Sequence, residues 1–166
     1  MKLPLANLPD APELRIALLI DADNSSADHV AQIEKELEAR GKITIRRAYG
    51  NWANPHLSPW SEGLRVHAIE AVQLFNVSNG KNAADIRLVI DAMEIFHSNT
   101  VETFALVSSD SDFTPLCVHL RAAGNEVFGF GKLEAPKSFV QSCTKFRFLE
   151  APKRPLEKAI HHQPLR

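Results

Sequence analysis

A chain of 166 residues falls within the roughly 100–200 residues of one domain, and 45% apolar residues are enough for a single buried core. The net charge of −1 excludes a strongly basic duplex binder, so any nucleic-acid contact must come from a local patch. No apolar run approaches the roughly 20 residues of a membrane span, and Met1-Lys2-Leu3-Pro4 lacks the apolar core of a signal peptide.

Residues 1–13 hold Pro4, Pro9 and Pro12 and are expected to form an irregular N-terminal arm. Arg15 to Ile20 is a continuous apolar run of strand length, the pattern of a strand buried on both faces, and it stops at Asp21-Ala22-Asp23-Asn24. Ser25 to Arg40 reads as an amphipathic helix with Val30, Ile33 and Leu37 on one face and Gly41 as its stop. Ile43 to Tyr49 is the second strand, Gly50 to Pro55 a loop, Pro59 to His67 a short helix and Ala71 to Phe75 the third strand. Ser78 to Asn82 is a turn, and Ala83 to His97 a long helix with Leu88, Ala92, Ile95 and Phe96 on its apolar side. Thr103 to Ser108 is the fourth strand, ending in Ser109-Asp110-Ser111-Asp112, and Thr114 to Ala123 is a helix stopped by Gly124. Glu126 to Phe130, a helix near Ser138 to Cys143, and Lys145 to Leu149 complete the pattern. Strands alternating with helices predict an α/β fold with a mainly parallel central sheet covered on both faces. From Ala151 the chain turns polar and proline-punctuated, so 151–166 is expected to be a flexible tail or linker.

Ligands in such sheets bind at the carboxyl ends of strands. Two strands end in doubled acids, Asp21/Asp23 and Asp110/Asp112, and Asp85 stands on the first turn of the long helix. If the first and fourth strands are neighbours, these acids share one pocket. Two carboxylates about 4 Å apart repel by roughly 4 kcal/mol at an effective dielectric near 20. Four ionised groups would strain a domain whose whole stability is about 5–15 kcal/mol, so either some are protonated or a cation sits among them. All-oxygen donors without histidine or thiolate suit Mg²⁺ or Mn²⁺ rather than zinc. Cys117 and Cys143 have no CxxC or zinc-ligand spacing and are expected to be buried, reduced thiols in a cytoplasmic protein.

Each acid also has a simpler reading. Asp is a favoured N-cap, so Asp21, Asp23 or Ser26 could start one helix and Asp110 or Asp112 another. One cap needs one acid, however, and both helix starts carry two. Asp91, six residues after Asp85, lies well round the helix and reads as a solvated or edge residue. Asn24 could cap a helix or bond a metal-bound water, and Lys81 could be an ordinary loop lysine or pair with a phosphate or an Asp. Arg46, Arg47, Trp52, Arg87, Lys132 and Lys137 could form a basic, partly aromatic rim for a single strand, or a scattered solvated surface.

The segments Leu19-Ile20-Asp21-Ala22-Asp23-Asn24, Lys81-Asn82-Ala83-Ala84-Asp85 and Val107-Ser108-Ser109-Asp110-Ser111-Asp112-Phe113-Thr114-Pro115-Leu116 resemble the three signature segments of NYN domains, bacterial LabA-like proteins above all. Gly124, Val127 and Phe130-Gly131 fit the final strand of that family, and the likeness covers 14–150. The resemblance implies a PIN-like three-layer α/β/α sandwich and a Mg²⁺- or Mn²⁺-dependent nuclease acting on RNA. Carried over, Asp21, Asp85, Asp110 and Asp112 match the metal-binding, catalytic acids. Asp23, Asn24, Lys81 and Ser109 are expected in support, and Lys81, Arg47, Trp52, Arg87 and Lys132 against the substrate. The implied partner is RNA, single-stranded or structured; a homodimer and a further domain or partner protein are left open.

Two rivals stand beside this reading. A non-catalytic NYN-like module would bind RNA without cutting it. A haloacid-dehalogenase-like phosphatase would use Asp21 as nucleophile and Asp23 as acid. It would want Ser or Thr at the end of the second strand, where this chain has Tyr49-Gly50, and it gives Asp85 no role.

Overall fold

The computed structural model describes residues 13–75 and 83–150. Six strands, β1 (Arg15–Asp21), β2 (Lys42–Gly50), β3 (Glu70–Gln73), β4 (Thr103–Val107), β5 (Glu126–Gly131) and β6 (Lys145–Phe148), form one sheet in the order β3-β2-β1-β4-β5-β6. Every ladder is parallel. The helices are α1 (Val30–Glu38), α2 (Trp60–Val66), α3 (Ala83–Ser98), α4 (Thr114–Ala122) and α5 (Lys137–Ser142). The α/β class and the parallel central sheet expected from the alternation are both found.

The apolar runs explain the layering. Along β1, Ile16, Leu18 and Ile20 pack with Val30, Ile33 and Leu37 of α1 and with Trp60 of α2. The intervening Ala17 and Leu19 pack on the other face with Leu88 of α3, Leu116 and Leu120 of α4 and Phe139 of α5. Side chains alternate across a strand, so a strand flanked by both layers must be apolar at every position. β1 and β4 meet that demand: Ile16 to Ile20 and Phe104 to Val107 are all nearly inaccessible. Both faces are thus covered, giving an α/β/α sandwich.

Local differences from the expected elements have physical causes. The helix predicted from Ser25 begins as a 3-10 turn, Ala27–His29, whose start is capped by the Ser26 hydroxyl accepting from the Asp28 N–H. Gly124 closes α4 as expected, at φ 91, a backbone region that disfavours other residues. Cys117 and Cys143 are free and buried. Among the described residues no helix is long and apolar enough to cross a membrane.

Candidate functional site

The strand order places the topological switch point between β1 and β4. From there α1 leaves toward one face, while α3 and α4 both start on the other, opening a crevice at the strand ends. The β1–β4 register runs to Ile20↔Val107, so Asp21 and Ser108 emerge side by side one residue later. Asp21 shares the strand face of Ala17 and Leu19, the face that α3 covers, and the first turn of α3 brings Asp85 over it.

Carboxylate oxygens of Asp85, Asp110 and Asp112 all lie within 4.8 Å of one another. At that spacing and an effective dielectric near 20, each ionised pair repels by about 3 kcal/mol. Burial, a hydrogen bond with Asp110, and the charges of Asp21, Asp110 and Asp112 push the Asp85 carboxyl up to about 7. Asp21 is 1% exposed, and burial raises its pKa against the opposing effect of two hydrogen bonds. The Asn24 amide and the Ser108 hydroxyl both donate to Asp21 Oδ2, each at 2.9 Å. Asp21 Oδ1 is buried with no hydrogen-bond partner. A buried carboxylate oxygen without a donor costs free energy unless something positive meets it.

The remaining candidates sort by their neighbours. Asp110 also caps the turn Ser111–Phe113, accepting from the Asp112 N–H at 2.9 Å, so capping and membership of the cluster coexist. Asp23 is exposed and accepts from the backbone N–H of Asn51, turned toward the end of β2 and outside the three-acid group. Ser109 accepts from the Lys132 N–H at 2.8 Å and ties the ends of β4 and β5 together. Lys81 lies outside the described residues.

Arg47, Arg87 and Trp52 each make contacts of their own. Arg87 Nε lies 3.0 Å from Asp91 Oδ1 and Arg47 Nη1 3.6 Å from Asp91 Oδ2, with Arg47 also paired to Glu70. The Trp52 indole donates to the Val72 carbonyl at 2.9 Å and the ring packs edge-on against Trp60. Asp91 itself, expected at an edge or in solvent, is 3% exposed and also accepts from the Tyr49 hydroxyl at 2.8 Å. Its burial is possible because a tyrosine and two arginines converge on it from β2 and α3. Ser108 is a further residue of the site that its type alone does not mark out. The signal that could have found it is register: once β1 and β4 are aligned, it stands beside Asp21.

A family model described as the NYN domain matches residues 15–150. The chain belongs to the NYN domain family. NYN domains are in general nucleases of the PIN-like superfamily, and the observed sandwich agrees with a PIN-like fold. An uncharacterised protein of Methanocaldococcus jannaschii is 31% identical over 126 residues, covering 72% of this chain and 48% of the relative. The chain therefore spans about half the length of that curated relative. The crystal structure of a protein of unknown function from Vibrio parahaemolyticus superposes with a TM-score of 0.70 at 18% identity, over 86% of this chain and 97% of that one. That likeness concerns the fold alone. Family membership displaces the phosphatase alternative.

PIN-like nucleases typically use divalent metal ions, and the donor set here is compatible with one. The three clustered acids offer only oxygen, and Oδ1 of buried Asp21 beside them has no hydrogen-bond partner among the described residues. Oxygen donors in carboxylate clusters suit hard cations.

Proposed function

We propose that the protein is a Mg²⁺- or Mn²⁺-dependent ribonuclease, with Asp21, Asp85, Asp110 and Asp112 as its metal-holding, catalytic acids. The observation that carries this is the convergence of three carboxylates within 4.8 Å beside a fourth that is buried and half-satisfied. Such an ion, when bound, polarises water and the phosphoryl oxygens and offsets charge that builds on the leaving oxygen.

The chain's own part is to hold these groups in place. Asn24 and Ser108 fix one oxygen of Asp21, and Ser108 also accepts from the Asp110 N–H at 3.1 Å, so one hydroxyl locks two acids. Asp112 is the exposed member of the cluster, on the side from which substrate and water arrive. Water oxygen adds to phosphorus in line as the bond to the leaving oxygen breaks, and the proton lost by water ends on that oxygen or in solvent. Lys132, at the end of β5, and Lys81 are proposed to contact the RNA, with Ser109 and Asp23 bracing the loops. Arg47 and Arg87 are held by Asp91 and Trp52 is docked on Val72, so these three would serve the substrate chiefly through the position of α3 and the β2 end. The setting proposed is cytoplasmic.

The test is incubation with labelled single-stranded and structured RNA plus Mn²⁺ or Mg²⁺, beside Asp110→Asn and an EDTA control. Cleavage that is lost in both controls is expected. Metal binding without any cleavage would favour the non-catalytic RNA-binding module, and cleavage surviving Asp110→Asn would place the chemistry elsewhere.

A further inference from the structure

A cavity of about 230 Å³ opens beside the acid cluster, between the turn after β1 and the ends of β5 and β6. We propose that it is a subsite for one nucleobase of single-stranded RNA, the base next to the phosphate held over the acids. This rests on the ribonuclease reading above and adds to it the place where the substrate is read.

Position comes first. Asn24 and Ser109 line the cavity, and they are also joined to the cluster, Asn24 through its hydrogen bond to Asp21 and Ser109 as the residue before Asp110. A molecule in the cavity therefore lies against the same two loops that carry the acids. Size comes next. The volume is below the roughly 300–1,000 Å³ of a drug-sized site, which suits one ring system rather than a folded oligonucleotide.

Lining chemistry selects the base over the backbone. His29 and Lys132 can donate, whereas Glu134 and Glu150 accept. Two carboxylates would repel a phosphate, but a neutral ring with donors and acceptors along one edge can use both signs. Leu149, buried, and Leu133, 70% exposed, add apolar surface for the face of such a ring. An exposed leucine at the rim of a site gains from being covered. Another cavity, of about 260 Å³, touches the acids directly and offers only Ile86, Val89 and Ile90 beside Asp85 and Asp112. It has no neutral or basic polar side chain with which to read a base edge.

The experiment removes the base from the substrate and its contacts from the protein. A single abasic ribose is walked through a labelled single-stranded RNA around a mapped cleavage point. Wild type and a His29→Ala/Lys132→Ala variant are then compared in Mn²⁺ for kcat/KM and in EDTA for binding by anisotropy. One fixed abasic position should lower wild-type kcat/KM and affinity by about tenfold, the scale of one lost base contact. The variant should be weaker on intact RNA and indifferent to that position. Sensitivity spread evenly along the strand, or a position effect that the variant retains, overturns the subsite while leaving the ribonuclease reading intact. If no RNA is cut, that reading fails, and the EDTA binding comparison still decides the cavity. Variants that keep the wild-type melting temperature exclude misfolding as the cause.

Discussion

The Asp85 carboxyl, at about 7 in the metal-free protein against an ordinary value of 3.8, keeps a proton in the fold that an unfolded chain would have released. A cation entering the cluster must displace that proton, so metal and proton compete. Mn²⁺ affinity should fall by about tenfold per unit as pH drops below 7 and level off above it. Isothermal titration between pH 5.5 and 8 measures this, and a flat profile would remove Asp85 from the metal set. Asp85→Asn should bind more weakly and lose the slope. At this scale the sequence was informative where acids came doubled at strand ends: Asp21, Asp110 and Asp112 stand out by type and spacing. It was less informative about which member of a pair turns inward. Asp23 faces Asn51 because the chain has already begun its 3-10 turn at Ala22, and that choice of side depends on loop geometry rather than residue type.

α3 is the element that delivers Asp85, and its attachment explains why Asp91 is buried. Six residues bring a helix round to about 120° short of its starting direction. The buried arc of α3 is wide enough to take in that direction, running from Asp85 and Ala92 through Leu88 and Ile95 to Asp91. The helix span was legible from its periodicity, but the width of its buried face was not, because β2 supplies Tyr49 and Arg47 from far along the chain. Asp91→Ala should cost about 3 kcal/mol, since it leaves a buried hydroxyl and a partly buried guanidinium without their partner. Arg87→Ala, at a half-exposed pair, should cost under about 1 kcal/mol. Urea unfolding distinguishes them, and equal small losses would show that the network does not anchor the helix. The end of β5 bears on the same site. A Cβ on Gly131 would stand 2.5 Å from the Ser108 carbonyl and 2.9 Å from Ser109 Oγ. Gly131→Ala must push away the loop whose Ser108 hydroxyl holds Asp21. It should destabilise the protein by about 1–3 kcal/mol and weaken Mn²⁺ binding; unchanged metal affinity would separate that loop from the site.

For the whole molecule, alternation of strands and helices made the class readable, while the meeting of the acids depended on β1 and β4 being neighbours. Local sequence cannot encode that adjacency; it follows from how the crossover helices divide between the two faces. The electrostatic consequence is global as well. A raised Asp85 pKa means the native state binds more protons than the unfolded chain between pH 3.8 and about 7. The stability contributed by that proton is complete below 3.8, lost as pH rises through the window, and gone above about 7. In EDTA the Asp85→Asn variant should therefore escape a decline in melting temperature that the wild type shows toward neutral pH. Mn²⁺ at about a hundred times its Kd should add roughly 2.7 kcal/mol, or about 5–10 °C, and most of that gain should appear above pH 7. A metal-induced shift equal at pH 5 and pH 8 would contradict the linkage.

An all-parallel sheet has no hairpins, and its central pair joins residues far apart in the chain, Ile20 with Val107. Such contacts are costly to nucleate, because a long loop must close before either strand gains from it. While the chain is still being synthesised, Asp21 and Asp85 emerge well before Asp110 and Asp112 exist. A ribosome-bound chain that has not yet released β4 has no acid cluster at all. The cluster is thus assembled only once that stretch of the coding sequence has already passed through the decoding centre.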